Sequence, residues 1–267
     1  MKTLGTTASL LLSRLSETGK DIFSLQDAQK ILGANSNSTR KLVFDLVQRN
    51  WLKRLARGKY LLVPLSVANK NDYTVNELLI ASQLVSAYYI SWWTALHYYG
   101  YTEQVSRKVY IGTLMQKPSI TIAGVTYQFV ALTRTKFFGF DDIWMQDKKV
   151  TMARREKMII DCLDRPDLCG GLVEATKGLW NSSKELDFPL LVRYALRMNS
   201  GAVCKRLGYL LEFFKLGTPA NLTRLKRGVR MGYSLLDPSL PNTGPYLSQW
   251  NLRVNVRQDD LESWKGH

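Results

Sequence analysis

The chain has 267 residues, 45% of them hydrophobic, and carries 37 Lys and Arg against 22 Asp and Glu, for a net charge of +15. That is apolar material enough for two domains with their own cores, and it excludes a compositionally disordered chain. The charge and a pI near 9.7 favour a polyanionic partner, and the stretch through Ser66 holds a net +7, so charge is about three times denser there than in the remainder.

In chain order, Asp21-Ile22-Phe23 reads as a short β segment. Ser24 then stands at an N-cap with Asp27 three residues on, and Leu25, Ala28, Ile31 and Leu32 recur at helical spacing until Gly33 closes the segment. The Asn35-Ser36-Asn37 cluster supplies a turn and a cap, and Leu42, Val43, Leu46 and Val47 mark the buried stripe of a second helix ending near Asn50. On a helical wheel Asn37, Lys41 and Gln48 fall opposite that stripe, Ser38 and Arg40 lie at its margins, Thr39 is on the buried side and Phe44 points outward. Trp51–Leu55 and Lys59–Val63 follow as a hairpin turning at Ala56-Arg57-Gly58, with Gly58 free to take positive φ and Pro64 ending the pair. Strand, two helices and a basic hairpin in about forty residues is the order of a winged helix-turn-helix, which offers its second helix to a major groove and its hairpin to the adjacent backbone.

Ser66 to Asn71 is the expected linker, dividing the chain into residues 1–68 and 69–267. Thr74 to Gly100 reads as helical, with the aromatic run Tyr88–Tyr99 at its end packing in a core or interface. Val109–Ile111 reads as a strand, Ser119–Leu132 as a hairpin turning at Ala123-Gly124, and Phe140–Met145 with Val150–Met152 as a further hairpin. Helical patterns follow from Arg154, through Leu172–Trp180, Phe188–Met198 and Val203–Leu216. Thr223–Arg230 is a second basic patch, either a solvated loop or a further phosphate contact, and Trp250–Val256 is a candidate last strand. The fold class expected is therefore α+β: an amino-terminal winged helix, then a mixed domain with β-hairpins first and helices after.

Chemistry-bearing constellations are sparse. Cys162, Cys169 and Cys204 are too few and too irregularly spaced for a zinc site or a disulfide framework and read as buried thiols in a reducing cytoplasm. His97 and the terminal His267 give a catalytic site little to build on. Asp147 and Lys149 form an Asp-x-Lys pair of the kind metal-dependent nucleases use, but at a polar hairpin turn of a basic protein such pairs arise by chance. No charged leader followed by an apolar core, and no apolar run of spanning length, occurs in the sequence, so a cytoplasmic protein with no membrane association is expected.

With these residues in view, the chain resembles the AbiEi family, the antitoxin and autorepressor components of type IV toxin-antitoxin systems of phage abortive infection. The likeness spans nearly the whole chain. It is carried by the winged-helix block ending Trp51–Tyr60, by Tyr89–Gly100 with Thr102-Glu103-Gln104, by Ile160-Asp161-Cys162-Leu163-Asp164-Arg165-Pro166, and by Arg206-Leu207-Gly208-Tyr209-Leu210-Leu211-Glu212. The resemblance implies a non-enzymatic protein without cofactor or metal. Its first domain would bind inverted repeats of duplex DNA upstream of its own operon, and its second would be needed to neutralise a nucleotidyltransferase-like AbiEii toxin. It assigns DNA contact to Ser36, Asn37, Ser38, Arg40 and Lys41 of the second helix and to Arg54, Arg57 and Lys59 of the wing. Two other classes remain open at this level: a DNA-targeting nuclease working through Asp147, and a protein-binding adaptor working through the segment around Trp92 and Trp93.

Overall fold

The computed structural model describes residues 4–56, 58–63, 76–122, 124–145 and 148–266. The chain divides into two compact units, Met1–Gln83 with Ile120–Val125, and Leu84–Ser119 with Thr126–His267. The expected linker and the boundary between residues 68 and 69 lie outside the described residues.

The first unit opens with α1 (Thr6–Glu17), followed by β1 (Ile22–Ser24), α2 (Leu25–Leu32), α3 (Ser36–Gln48), β2 (Leu52–Ala56) and β3 (Lys59–Leu62), with α4 (Glu77–Ser82) later in the chain. β3 is the middle strand of a three-stranded sheet, antiparallel to β1 on one side and to β2 on the other. Gly58, at φ 73°, supplies the left-handed residue that turns β2 into β3. Leu11, Leu15, Phe23, Ala28, Val43, Leu46 and Leu52 form the core, so α1, α2, α3 and the strands bury their apolar faces against one another. The sequence reading passes over α1. Its stripe of Ala8, Leu11, Leu12 and Leu15 has helical spacing, but Gly5 at the N-cap offers no side-chain oxygen to mark the start.

In the rest of the chain come β4 (Tyr88–Ile90), α5 (Trp92–Tyr98), β5 (Lys108–Thr113), β6 (Ile120–Ile122), β7 (Val125–Ala131), β8 (Phe140–Met145) and β9 (Lys148–Ala153). Within the second unit β7, β5, β4, β9 and β8 lie side by side in that order in one large sheet. β5 runs parallel to β7 and antiparallel to β4, and β9 runs parallel to β4 and antiparallel to β8. The helices α6 (Arg155–Asp164), α7 (Leu172–Ser182), α8 (Phe188–Arg197), α9 (Gly201–Phe213) and α10 (Pro219–Lys226) follow. A small sheet of β10 (Ser234–Leu235), β11 (Tyr246–Leu247) and β12 (Leu252–Arg253), with β12 in the middle, and the short α11 (Gln258–Glu262) complete the chain. α6 is buried on every side from Glu156 through Leu163 and is the axis of this unit. The architecture is mixed α+β, and among the described residues no helix is long and apolar enough to cross a membrane.

Three sequence readings are corrected. Thr74–Gly100 is not one helical stretch, because Tyr88-Tyr89-Ile90 pairs with both β5 and β9 inside the large sheet, and that pairing overrides the helical pattern upstream. The second unit does not place all its strands before its helices, since α5 lies between β4 and β5 and a small sheet follows α10. Within Trp250–Val256 only Leu252 and Arg253 are strand residues.

Candidate nucleic-acid interface

α3 owes its start to Asn35, whose Oδ1 accepts the Ser38 N–H at 2.9 Å, while Thr39 Oγ1 donates to the Asn35 carbonyl at 2.9 Å. Thr39, Val43 and Leu46 are buried, which rotates Asn37, Ser38, Arg40, Lys41, Phe44, Asp45 and Gln48 outward to solvent, with Ser36 half-buried in the first turn. Arg40 and Lys41 have no side-chain partner among the described residues. Their charges are therefore uncommitted, one turn from the exposed N–H groups of a helix start, where anions are favoured. Phe44 is 61% exposed, so packing does not explain its presence on that face.

On β2, Arg54 is exposed, and so is Lys53 beside it, a cation that sequence reasoning passes over although it stands between the buried Leu52 and Leu55. Lys59, at the start of β3, is only partly exposed, and its Nζ donates to the Gln83 carbonyl at 2.9 Å. Arg57 lies outside the described residues. Of the eight residues singled out in the sequence, five thus fall on the first turns of one helix, and Arg54 and Lys59 stand on the hairpin that follows it.

α2, which precedes α3, is fixed by its own cap. Ser24 Oγ accepts the Asp27 N–H, and the Asp27 carboxylate accepts the Ser24 N–H at 2.8 Å and Lys20 Nζ at 2.8 Å. Partial burial alone would raise the Asp27 pKa, but the bonds from Lys20 and Ser24 outweigh it and hold the carboxyl at about 2. A carboxyl depressed on folding adds stability above its unfolded pKa of 3.8 and loses it as pH falls toward 2. Ser24→Ala is expected to cost about 1 kcal/mol at neutral pH, and its deficit against the parent should shrink from pH 4 downward, as urea titrations at several pH values would read.

In the second unit, the three other blocks quoted for the resemblance converge on α6. Asp161 Oδ2 accepts Ser91 Oγ–H at 2.8 Å and Tyr89 O–H at 3.1 Å, its backbone carbonyl accepts Trp92 Nε1–H at 3.1 Å, and Oδ1 is paired with Lys157 Nζ. Lys157 donates further to Tyr89 Oη at 3.0 Å. The lysine and aspartate side chains are 0% and 1% exposed. Burial pushes Asp161 up and Lys157 down, and their mutual attraction opposes both shifts. Arg206 on α9 closes the arrangement, donating through Nη1 to the Leu163 carbonyl at 2.7 Å and through Nε and Nη2 to that of Leu235.

Two residues on, Gly208 makes room for Trp250. A Cβ there would lie 2.2 Å from the indole ring, and the ring cannot withdraw easily because its Nε1–H donates to Glu212 Oε2 at 2.6 Å. Gly208→Ala is expected to cost about 1–3 kcal/mol or more through overpacking, measurable as a lower denaturation midpoint with an unchanged slope.

No cluster of three or more His, Cys, Asp or Glu is placed to hold a metal among the described residues, and the three cysteines are free and buried. Asp147 lies outside the described residues. Lys149 sits 4.0 Å from Asp142 and over the Trp144 ring.

No family model and no curated protein matches the chain. Among solved structures it is similar to the RV2827C protein from Mycobacterium tuberculosis, with a TM-score of 0.70 and 15% identity over 100% of this chain and 97% of that one. At that identity the likeness speaks to the fold alone, and it extends from one end of both chains to the other.

Proposed function

We propose that the first unit is a winged helix-turn-helix that binds duplex DNA, with α3 as the recognition helix and the β2–β3 hairpin as the wing. The observation that carries this reading is the outer face of α3, where the side chains of Asn37, Ser38, Arg40 and Lys41 have no partner among the described residues and stand behind a capped helix start. Such a face matches a major groove, where polar and cationic side chains reach base edges and helix N-termini meet phosphates. The hairpin adds Arg54 and Lys53, and Lys59 serves chiefly to hold the hairpin through its bond to Gln83.

Together with the resemblance to the AbiEi family, this makes the protein a non-enzymatic autorepressor that silences its own operon and an antitoxin counteracting a nucleotidyltransferase-like toxin, at work in the cytoplasm. The three later blocks that carry the resemblance meet in one interior around Asp161 and Trp250.

The test is a titration of the full chain against its own upstream DNA and a scrambled duplex of equal length at several salt concentrations. A preference for the upstream sequence that survives moderate salt is expected, with a log-log slope of about −0.9 per phosphate neutralised. Equal, salt-labile binding of both duplexes would overturn the repressor reading. Rescue of growth on co-expression with a nucleotidyltransferase-like toxin of the AbiEii kind would test the antitoxin half, and growth arrest undiminished by the chain would overturn it.

A further inference from the structure

The segment from Lys215 to Arg257 carries seven Lys and Arg and a single acid, Asp237. That acid is buried and spent on backbone N–H groups of Leu172 and Ser239, so it offers no counter-charge at the surface. Arg224, Lys226, Arg227 and Arg230 are all exposed. Part of the run is helical rather than looped: Thr218 and Asn221 form a capping box and Pro219 opens α10.

Beside this charge stand two large aromatic side chains that the core does not use. Tyr233 is 50% exposed and Tyr246 61%, with ring centroids 4.7 Å apart in an edge-to-face arrangement. Arg253, the register partner of Tyr246, lies 4.9 Å over its ring and donates to Asn242 Oδ1 at 2.8 Å. The frame beneath is rigid. Asn251 joins its two halves, its carbonyl accepting the Ser234 N–H and its side chain reaching the Arg230 carbonyl, while Lys205 and Arg206 on α9 hold β10 through its Ser234 hydroxyl and Leu235 carbonyl. Trp250 anchors the far end in the notch left by Gly208.

Exposed tyrosines flanked by exposed arginines make a surface for unpaired bases: Arg230, held by Asn199 Oδ1, and Arg253, held by Asn242 and the Gly244 carbonyl, are bonded to neutral acceptors alone and keep their charge unbalanced. Rings supply stacking that any base can use, and the cations track the phosphates. Duplex DNA keeps its base faces covered, whereas loops and ends of RNA present them. We propose that the small sheet β10-β12-β11, with Tyr233, Tyr246, Arg230 and Arg253, is a binding surface for single-stranded RNA. It does not depend on the duplex-binding reading of the first unit.

The experiment uses the full chain carrying Arg40→Ala and Lys41→Ala, to weaken any contribution from α3, and a fluorescein-labelled 12-mer of uridylate followed by anisotropy. Binding is expected, with Tyr233→Ala/Tyr246→Ala weakening it about tenfold or more and Tyr233→Phe/Tyr246→Phe staying within about threefold, because stacking survives loss of the hydroxyls. Absence of binding, or tyrosine-to-alanine variants that bind as well as the parent, would overturn the proposal. Equal affinity for a 12-mer of thymidylate would overturn the assignment to RNA, and equal affinity for a duplex of the same length would reduce the surface to a phosphate contact.

Discussion

Asp161→Ala is expected to remove about 3–5 kcal/mol of folding stability, the cost of leaving one member of a buried ion pair behind. Lys157 would be left in an interior where its remaining hydrogen-bond partner is the Tyr89 hydroxyl, so that it either holds a charge no carboxylate balances or gives up its proton, and Ser91 would lose the acceptor for its hydroxyl. The damage reaches further than one helix. Tyr89 belongs to β4, Ser91 and Trp92 begin α5, and Trp92 is held at a positive φ of 53° that a side chain of its size rarely adopts. Urea titration would report the loss directly. Adding Lys157→Met to Asp161→Ala should restore part of it, since the stranded amine is gone, giving a non-additive double-mutant cycle. A single variant that loses less than about 1 kcal/mol, or a double that loses the sum of both singles, would contradict the network as described.

The same residues explain why the two units differ in how far their sequence could be read. In the first, each boundary has a local mark: Ser24 with Asp27, Asn35 with the Ser38 N–H, and Gly58 at the hairpin turn all act within three or four residues. α1 is the exception, because its start has no such mark. In the second unit the deciding contacts are distant in sequence. Lys157 and Asp161, four apart on a helix, have the spacing of a solvated surface pair, and only Tyr89 and Ser91, about seventy residues upstream, turn that pair into an interior one. β4 is a strand because β5 and β9 flank it, a fact with no local trace. At the candidate interface the helical wheel sufficed for Arg40, Lys41 and Thr39, whereas the bond from Lys59 to Gln83 spans 24 residues and could not be anticipated. The α10 segment carries its marks in plain view, Thr218-Pro219 followed by Asn221, but its run of cations reads as a solvated loop or a phosphate contact before it reads as a helix.

Replacing both Arg40 and Lys41 by alanine is the second change with a large expected effect, here on DNA rather than on folding. Neither side chain has a partner among the described residues, so the fold should keep its stability within about 0.5 kcal/mol. Affinity for the upstream duplex should fall, and the salt dependence tells what each residue touches. A cation on a phosphate makes the log-log slope shallower by about one and weakens all duplexes alike. A cation on a guanine edge instead costs about 1–3 kcal/mol of preference for the upstream sequence over the scrambled one. Phe44→Ala is the third arm, because this exposed ring carries no charge and its loss cannot change the slope by releasing counterions. If Phe44 meets thymine methyls, its removal lowers affinity for the upstream duplex alone and leaves the scrambled one untouched. Unchanged affinity and slope in the double variant would take the outer face of α3 out of the interface, and with it the observation on which the repressor reading rests.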